Sequence, residues 1–236
     1  MGFLDGKQAL VTGGSRGIGF AIASALIKEG AEVAICGRDP EQLRRAASLL
    51  GPRALTFACD VARDEQVAAM FDQVERRFGG LDILVNNAGV GLSAGVADIT
   101  PQQWRTVIET NLCGPFYCSR LAIPLMKKRG GGYIINISSL AGKNAFAGGA
   151  AYNASKFGLN GFSEALMLDV RYDNIRVSYV MPGSVETEFG MGAKASASAW
   201  KLQSVDVAEQ VLALLRLPQR ALASRVEMRP LMPPRK

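Results

Sequence analysis

Short apolar runs alternate with longer amphipathic stretches along almost the whole chain. Several runs are apolar at consecutive positions, which is typical of strands that are buried on both faces of a parallel sheet. The runs predict strands over Ala9–Thr12, Glu32–Cys36, Ala54–Ala58, Ile83–Val85, Tyr133–Ile137, Arg176–Met181 and, with the weakest pattern, Arg225–Met228.

The stretches between these runs carry apolar residues at helical spacing. They predict helices over Gly17–Glu29, Pro40–Leu50, Asp64–Phe78, Pro101–Arg129, Ala151–Tyr172 and Ser204–Leu215. Asp39-Pro40 and Thr100-Pro101 support two of the starts, because a capping side chain precedes a proline at the first helical position. Gly114-Pro115 predicts a break in the long fourth pattern, since proline disrupts a helix interior.

Repeated strand–helix units of this kind predict a parallel sheet with helices on both faces. We therefore predict an α/β fold, with one doubly wound sheet of the Rossmann type and about seven strands. The 236 residues fit a single domain over 1–236, which is large enough to bury a core without metals or disulfides.

The composition narrows the class of protein. Hydrophobic residues make up 48% of the chain and charged residues 20%, as in globular proteins. No apolar run reaches the length of a bilayer and the N-terminus lacks a signal-peptide pattern, so we expect a cytoplasmic protein without a membrane partner. The four cysteines form no CxxC pair, which favours reduced thiols, and the absence of histidine argues against a metal site.

The net charge of +6 raises the question of a nucleic-acid partner. The basic residues are scattered, and several lie late in helical patterns, where cations interact favourably with a helix C-terminus. Lys127, Lys128 and Arg129, for example, precede a glycine run. We therefore interpret the charge as solvated helix faces and expect no nucleic-acid partner.

A glycine-rich segment, Thr12–Gly19, follows the first predicted strand and opens the first predicted helix. Gly13, Gly17 and Gly19 suit a tight turn, a close approach of backbone to a pyrophosphate, and close packing of helix on strand. The pyrophosphate would lie at the positive N-terminus of the helix. The segment therefore indicates dinucleotide binding, although an ordinary glycine-rich turn would give a similar pattern.

The spacing of this segment resembles the TGxxxGxG fingerprint of the short-chain dehydrogenase/reductase family in its compact form. Four later segments resemble motifs of that family in the same order, so that the resemblance covers nearly the whole chain. They are Asn86–Gly89 (NNAG), Asn136–Ser139, Tyr152–Lys156 (YxxxK), and Pro182-Gly183 with Thr187.

The resemblance implies a catalytic set of Asn111, Ser139, Tyr152 and Lys156. It implies that the last two also bind the cofactor, together with Gly13, Ser15, Arg16, Gly17, Ile18, Gly19, Arg38, Asp60, Val61, Asn87, Ala88, Gly89, Pro182, Gly183, Val185 and Thr187. Asp60 would hydrogen-bond the adenine, although a loop acid that caps its own turn explains the residue nearly as well.

The end of the second strand indicates the cofactor. An acid at this place binds the ribose hydroxyl of NAD, and a base accommodates the extra phosphate of NADP. The acid position is Gly37, and Arg38 follows it, with Arg16 in the glycine loop. Asp39 is a rival signal for NAD, but it is better explained as the helix cap. We therefore expect NADP(H).

Tyr152 and Lys156 are four residues apart in a helical pattern and so share one face. A nearby ammonium favours the phenolate, so we expect Lys156 to lower the pKa of Tyr152 and prepare it for acid–base chemistry. By resemblance, Ser139 hydrogen-bonds the substrate oxygen, and Asn111 holds a water that links Lys156 to solvent. An amphipathic helix with a surface lysine is the alternative for an isolated YxxxK.

These features predict an NADP(H)-dependent oxidoreductase that interconverts a small or medium carbonyl compound and its alcohol. We expect residues 184–204 to cover the substrate, with an apolar lining from Phe146, Phe189, Met191, Ala193 and Ala195. The C-terminus lacks the glycine-rich ending of many family members that act on acyl carrier protein. By resemblance, the protein forms a homotetramer or dimer through residues 112–129 and 151–172.

Other functions stay open at this point. An NAD-dependent alcohol or hydroxy-acid dehydrogenase is one, and Arg16 and Arg38 argue against it. A non-catalytic dinucleotide sensor is another, and the complete Ser-Tyr-Lys set argues against it. A methyltransferase would need an acid where Arg38 stands.

Overall fold

The computed structural model of the chain describes residues 2–187 and 199–234. Its strands are β1 Gln8–Thr12, β2 Glu32–Gly37, β3 Ala54–Ala58, β4 Ile83–Asn86, β5 Gly132–Ile137, β6 Ile175–Pro182 and β7 Arg225–Met228. Its helices are α1 Gly17–Lys28, α2 Pro40–Leu50, α3 Asp64–Phe78, α4 Pro101–Ile108, α5 Gly114–Lys128, α6 Ala150–Val170 and α7 Ser204–Arg216. Among the described residues, no helix is long and apolar enough to span a membrane.

All seven strands pair in parallel in one sheet, in the order β3-β2-β1-β4-β5-β6-β7. The chain builds outwards from β1 to β3 and then returns to the other side of β1 with β4. This reversal separates the loops that follow β1 and β4 and opens a crevice at the carboxyl edge of the sheet, where ligands bind in such folds. The predicted doubly wound α/β fold is confirmed.

The two faces of the sheet bury separate apolar cores. Val33 and Ile35 of β2 face the core formed with α1, α2 and α7, whereas Ala34 and Cys36 face the core formed with α3, α5 and α6. This alternation follows from the two-residue period of a strand. It explains why the strand runs are apolar at consecutive positions.

The predicted helix caps are present. Asp39 accepts hydrogen bonds from the backbone N–H groups of Glu41 and Gln42 at 2.9 and 3.2 Å. Thr100 and Gln103 form a reciprocal capping box at the start of α4. Both helices begin at the proline that the sequence placed there.

The predicted break at Gly114-Pro115 takes a different form from the one expected. The chain stays helical, but a π-helical segment, Glu109–Cys113, separates α4 from α5. Pro115 therefore lies in the first turn of α5, where its missing N–H interrupts no hydrogen bond of an α-helix interior. The wider turn places Asn111 at the centre of the interruption.

Candidate active site

A cavity of about 1620 Å³ opens at the carboxyl edge of the sheet. Loops that follow all seven strands contribute to its wall, for example Ser15 after β1, Arg38 after β2, Asn87 after β4, Ser139 after β5 and Gly183 after β6. Of the predicted site residues, those that line it are Gly13, Ser15, Arg16, Gly17, Ile18, Arg38, Asp60, Val61, Asn87, Ala88, Gly89, Ser139, Tyr152, Lys156, Pro182, Gly183, Val185 and Thr187. Gly19 and Asn111 do not line the cavity.

The glycine loop has the backbone that its sequence requires. Gly13 and Gly17 adopt φ angles of 63° and 55°, in the left-handed region that favours glycine. A Cβ atom on Gly19 would lie 2.3 Å from the carbonyl oxygen of Gly13, so this position accepts only glycine. Helix α1 starts at Gly17 without a side-chain cap and without an acid in its first turn. Its N-terminus therefore suits an anionic group.

The loop after β4 holds the glycine loop in place. The side-chain amide of Asn87 donates to the carbonyl oxygens of Thr12 and Gly13, at 2.9 and 3.2 Å. In return, the hydroxyl of Thr12 accepts from the backbone N–H groups of Asn87 and Ala88, both at 3.0 Å. Four hydrogen bonds thus lock the two loops on either side of the crevice together.

At the end of β2 the cavity presents bases, and Asp39 is the acid beside them. A Cβ atom on Gly37 would lie 3.5 Å from the hydroxyl of Ser15, so a longer side chain at this position would reach towards the glycine loop. Arg16 and Arg38 both line this part of the cavity. The carboxylate of Asp39 is engaged in its helix cap.

Asp60 forms a hydrogen bond within its own loop and also lines the cavity. Its carboxylate accepts a hydrogen bond from the backbone N–H of Ala62 at 3.1 Å, and so shapes its own loop. The residue also lines the cavity beside Val61.

The side chains predicted to be catalytic converge from the end of β5 and from α6. Ser139 lies two residues after the end of β5, and its hydroxyl accepts a hydrogen bond from the backbone N–H of Ala141 at 3.1 Å. On α6, the Nζ atom of Lys156 lies 5.8 Å from the centre of the Tyr152 ring. The same atom donates to the carbonyl oxygen of Ile137 at 2.9 Å, so the lysine also joins the helix to the end of β5.

Burial changes the pKa values of the Lys156 and Tyr152 side chains. The side chain of Lys156 is almost wholly removed from solvent, which lowers its pKa to about 8. The pKa prediction for Tyr152 was wrong, because burial raises the pKa of its hydroxyl, and a hydrogen bond with Ser139 opposes that rise. A neighbouring ammonium favours the phenolate, but the loss of solvent around the hydroxyl disfavours it.

Asn111 lies near the site, but its side-chain amide forms hydrogen bonds with Val90 and Ser155. It is completely buried in the π-helical segment. Its amide oxygen accepts from the backbone N–H of Val90 at 2.8 Å, and its amide nitrogen donates to the carbonyl of Val90 at 2.9 Å and to the hydroxyl of Ser155 at 3.0 Å. The side chain therefore joins the loop after β4 to α6 and does not face the cavity.

No sequence motif marks several residues of the cavity wall. Arg229, Pro230 and Pro233 line the cavity from the segment that follows β7. The register explains their place, because Met228 at the end of β7 pairs with Pro182 at the end of β6. Residues beyond β7 therefore emerge at the same edge as the catalytic side chains.

The ends of the predicted covering segment, 184–204, lie at the cavity. Val185 pairs with Leu202 in an isolated parallel bridge, and two backbone hydrogen bonds of 2.8 and 3.0 Å join the two ends. Thr187, Trp200 and Phe146 line the cavity. The predicted lining residues Phe189, Met191, Ala193 and Ala195 lie outside the described residues.

Known proteins share this fold. A metagenomic short-chain oxidoreductase in complex with NADP is 38% identical, with a TM-score of 0.86 over 98% of this chain and 99% of the other. The 3-ketoacyl-(acyl-carrier-protein) reductase of Brucella melitensis, in complex with NADH, is 28% identical, with a TM-score of 0.87 over 97% and 98%.

Sequence comparison gives the same family. A 3α-hydroxysteroid dehydrogenase of Mediterraneibacter gnavus is 39% identical over 190 residues, which cover 78% of this chain and 76% of that protein. Residues 7–198 match the family described as short chain dehydrogenase. With the glycine loop and the Ser139, Tyr152 and Lys156 group in one cavity, the match establishes that this chain belongs to the short-chain dehydrogenase/reductase family of oxidoreductases.

Proposed function

We propose that the protein is an NADP(H)-dependent oxidoreductase that interconverts a carbonyl compound and its alcohol. One observation carries the proposal: a single cavity joins the glycine loop with its Arg16, Arg38 at the end of β2, and the Ser139, Tyr152 and Lys156 group. A dinucleotide held along this cavity would extend from the anion site at α1 to the catalytic side chains.

The preference for NADP(H) rests on the residues at the end of β2. Two solved relatives are complexes with NADP and with 5-hydroxy-NADP and support this preference, whereas the B. melitensis reductase is a complex with NADH. In this chain Gly37 offers no carboxylate to a ribose hydroxyl, and Arg16 and Arg38 line the wall beside it. Guanidinium groups form charge-assisted, often bidentate hydrogen bonds with a phosphate.

The residues present fit a nicotinamide dinucleotide, and each has a task. The backbone at Gly13 and Gly17 and the uncapped start of α1 suit the pyrophosphate. When bound, the nicotinamide supplies or accepts the hydride. Lys156 and Tyr152 would hold its ribose, and Asn87 keeps the glycine loop in the shape that receives the cofactor.

In the direction of reduction, Tyr152 would donate the proton. Burial raises the pKa of its hydroxyl, so the group is protonated near neutral pH and ready to give its proton to a developing alkoxide. Ser139 would hydrogen-bond the same oxygen. The Lys156 ammonium, close beside the ring, stabilises the phenolate that remains after proton transfer.

Apolar side chains line part of the cavity wall. Phe146, Leu140 and Trp200 line it, and Phe146 is half-exposed. These side chains suit a small or medium carbonyl compound with an apolar part, and the name of the M. gnavus relative is compatible with such a substrate. We propose further that residues 1–236 act as one binding and catalytic unit, with 184–204 covering the substrate.

We also propose that the protein assembles as a dimer or tetramer in the cytoplasm. Phe116 on α5 and Phe157 on α6 are each 46% exposed, although helices usually bury such side chains. A symmetric contact between copies would cover them. Cys36 and Cys59, which line the cavity, form no disulfide in the structure, and free thiols are usual in a cytoplasmic protein.

The strongest alternative is an NAD-dependent alcohol or hydroxy-acid dehydrogenase, which the NADH complex of the Brucella melitensis reductase favours. Equilibrium binding of NADPH and NADH, followed by fluorescence, separates the two. We expect the unmodified protein to prefer NADPH and the Arg38→Ala variant to bind NADPH about 10- to 100-fold more weakly, with little change for NADH.

Arg44→Ala is the matched control, since Arg44 is exposed on α2 and does not line the cavity. Equal affinities for the two cofactors in the unmodified protein would replace the proposal with the NAD-dependent dehydrogenase. Binding of neither cofactor would contradict both functions.

A further inference from the structure

Two asparagines of α6 bind the turn that follows the catalytic serine. This turn, residues 139–144, leaves the end of β5 through a short 3₁₀ segment, Leu140–Gly142. The side-chain amide of Asn153 donates to the carbonyl oxygens of Ala141 and Asn144, at 2.6 and 3.3 Å. The amide of Asn160 donates to the carbonyl of Gly142 at 2.9 Å.

Asn160 also binds the strand side of the turn. Its amide oxygen accepts a hydrogen bond from the hydroxyl of Ser138 at 2.5 Å. Ser138 directly precedes the catalytic serine and is buried. The two asparagines therefore hold the turn on both sides of Ser139.

The asparagines flank the catalytic pair on the helix. Asn153 directly follows Tyr152, and Asn160 lies one turn beyond Lys156. Seven residues, about two helical turns, separate the asparagines, so both point towards the same side of α6. The element that carries the tyrosine and lysine thus binds directly to the element that carries the serine.

The contact between turn and helix is close. A Cβ atom on Gly142 would lie 2.6 Å from the amide nitrogen of Asn160 and 2.7 Å from the carbonyl oxygen of Lys156. Only glycine allows the turn to approach the helix backbone at this point. Asn153 is buried in the contact, so its amide has no water to replace a lost partner.

We propose that Asn153 and Asn160 are positioning residues, which clamp residues 139–144 onto α6 and thereby fix the Ser139 hydroxyl against Tyr152. The Ser139 hydroxyl belongs to this turn and the Tyr152 hydroxyl to α6, and a displacement of about 1 Å in such a group reduces turnover by about 100-fold. Without the clamp, backbone hydrogen bonds within the turn would keep its shape but not its place against the helix.

The first test needs no substrate. Hydrogen exchange of backbone amides, read by mass spectrometry, would compare the unmodified protein with Asn153→Ala and Asn160→Ala. We expect faster exchange in residues 139–146 of both variants and unchanged exchange in α1, on the other face of the sheet. Ser138→Ala, which removes only the donor to Asn160, is a milder third variant that serves if either alanine variant does not fold.

The second test rests on the proposed function and uses NADPH with 2,3-butanedione as the carbonyl probe. We expect kcat to fall about 10- to 100-fold in the two alanine variants, while the Kd for NADPH stays unchanged, because the clamp orients the reacting group and does not bind the cofactor. A loss of stability alone would not produce this separation of kcat from binding.

Asn174→Ala is the matched control. Asn174 makes the same type of bond, from its amide to the carbonyl of Gly130 at 2.8 Å, and it has a left-handed backbone with φ 58°. Its replacement should lower the Tm but leave kcat and the exchange of residues 139–146 unchanged.

If the clamp variants behave like this control, or if exchange rises while kcat is unchanged, the proposal is overturned. Absence of turnover in the unmodified protein would contradict the proposed function alone, and the exchange data would still decide whether the clamp exists.

Discussion

Each edge of the sheet has one buried charged side chain among the described residues, and the partners of the two side chains differ. At the amino edge, the carboxylate of Asp82 lies between Lys7 and Arg129, at 3.0 and 3.1 Å, and it also accepts from the backbone N–H of Gln8 at 3.0 Å. At the carboxyl edge, the ammonium of Lys156 is equally buried, but its hydrogen bond goes to the neutral carbonyl of Ile137. No carboxylate of residues 2–187 and 199–234 forms an ion pair with it.

The contrast indicates a structural role for Asp82 and fits the catalytic role proposed for Lys156. A buried charge is stable when opposite charges and hydrogen bonds replace its water, as they do around Asp82. Lys156 lacks such compensation. Burial therefore destabilises its charged form, which lowers its pKa. Uncompensated groups of this kind cluster at active sites, where their chemistry outweighs their effect on stability.

The largest expected effect comes from removing the uncompensated charge. Lys156→Met keeps most of the side-chain volume and should reduce kcat by about 100-fold or more, because the ammonium stabilises the phenolate of Tyr152. Its free energy of unfolding in urea should stay the same or rise by up to about 3 kcal/mol at neutral pH. A variant that turns over normally, or that is clearly less stable, would remove the distinction between the two edges.

The pH dependence of stability should follow from the same residue. Burial lowers the pKa of Lys156 to about 8, whereas a lysine in an unfolded chain has a pKa of about 10.4. Between these values the unfolded chain binds more protons, so the free energy of unfolding rises with pH in this window, and the destabilisation is complete below about pH 8. The stability advantage of Lys156→Met should therefore shrink between about pH 8 and about pH 10. An advantage that does not depend on pH would point to packing alone.

A smaller effect is expected at the amino edge. Asp82→Ala leaves Gln8 without the acceptor for its backbone N–H and leaves Lys7 and Arg129 facing each other. Both cations are partly exposed, so the loss should be about 1–3 kcal/mol of unfolding free energy. Turnover at 25 °C should be unchanged, which a parallel assay would check. Loss of turnover in the folded variant would mean that this edge also serves the site.

The strands and helices could be predicted because each carries a periodic pattern that local physics fixes. The runs of β1 to β6 match the observed strands to within two residues, and the caps at Asp39 and Thr100 match in detail. The π-helical segment at Glu109–Cys113 could not be predicted, because a single widened turn leaves the apolar spacing almost intact.

The site was predictable where a motif determines a backbone shape, as in the glycine loop, and not where it depends on tertiary placement. Arg229 and Pro230 reach the cavity only because β7 lies in register with β6. The pKa of Tyr152 depends on burial, which the YxxxK spacing does not report. The inward position of the Asn111 side chain likewise follows from its contact with Val90, far away in the sequence.

The central claim is that Tyr152 transfers the proton during reduction of a carbonyl compound by NADPH. It is tested most directly by measuring alcohol formation and NADPH oxidation together, in the unmodified protein and in Tyr152→Phe. We expect both signals to fall by about 10²- to 10⁴-fold in the variant, with NADPH binding unchanged. Alcohol formation by Tyr152→Phe at the rate of the unmodified protein would contradict the claim.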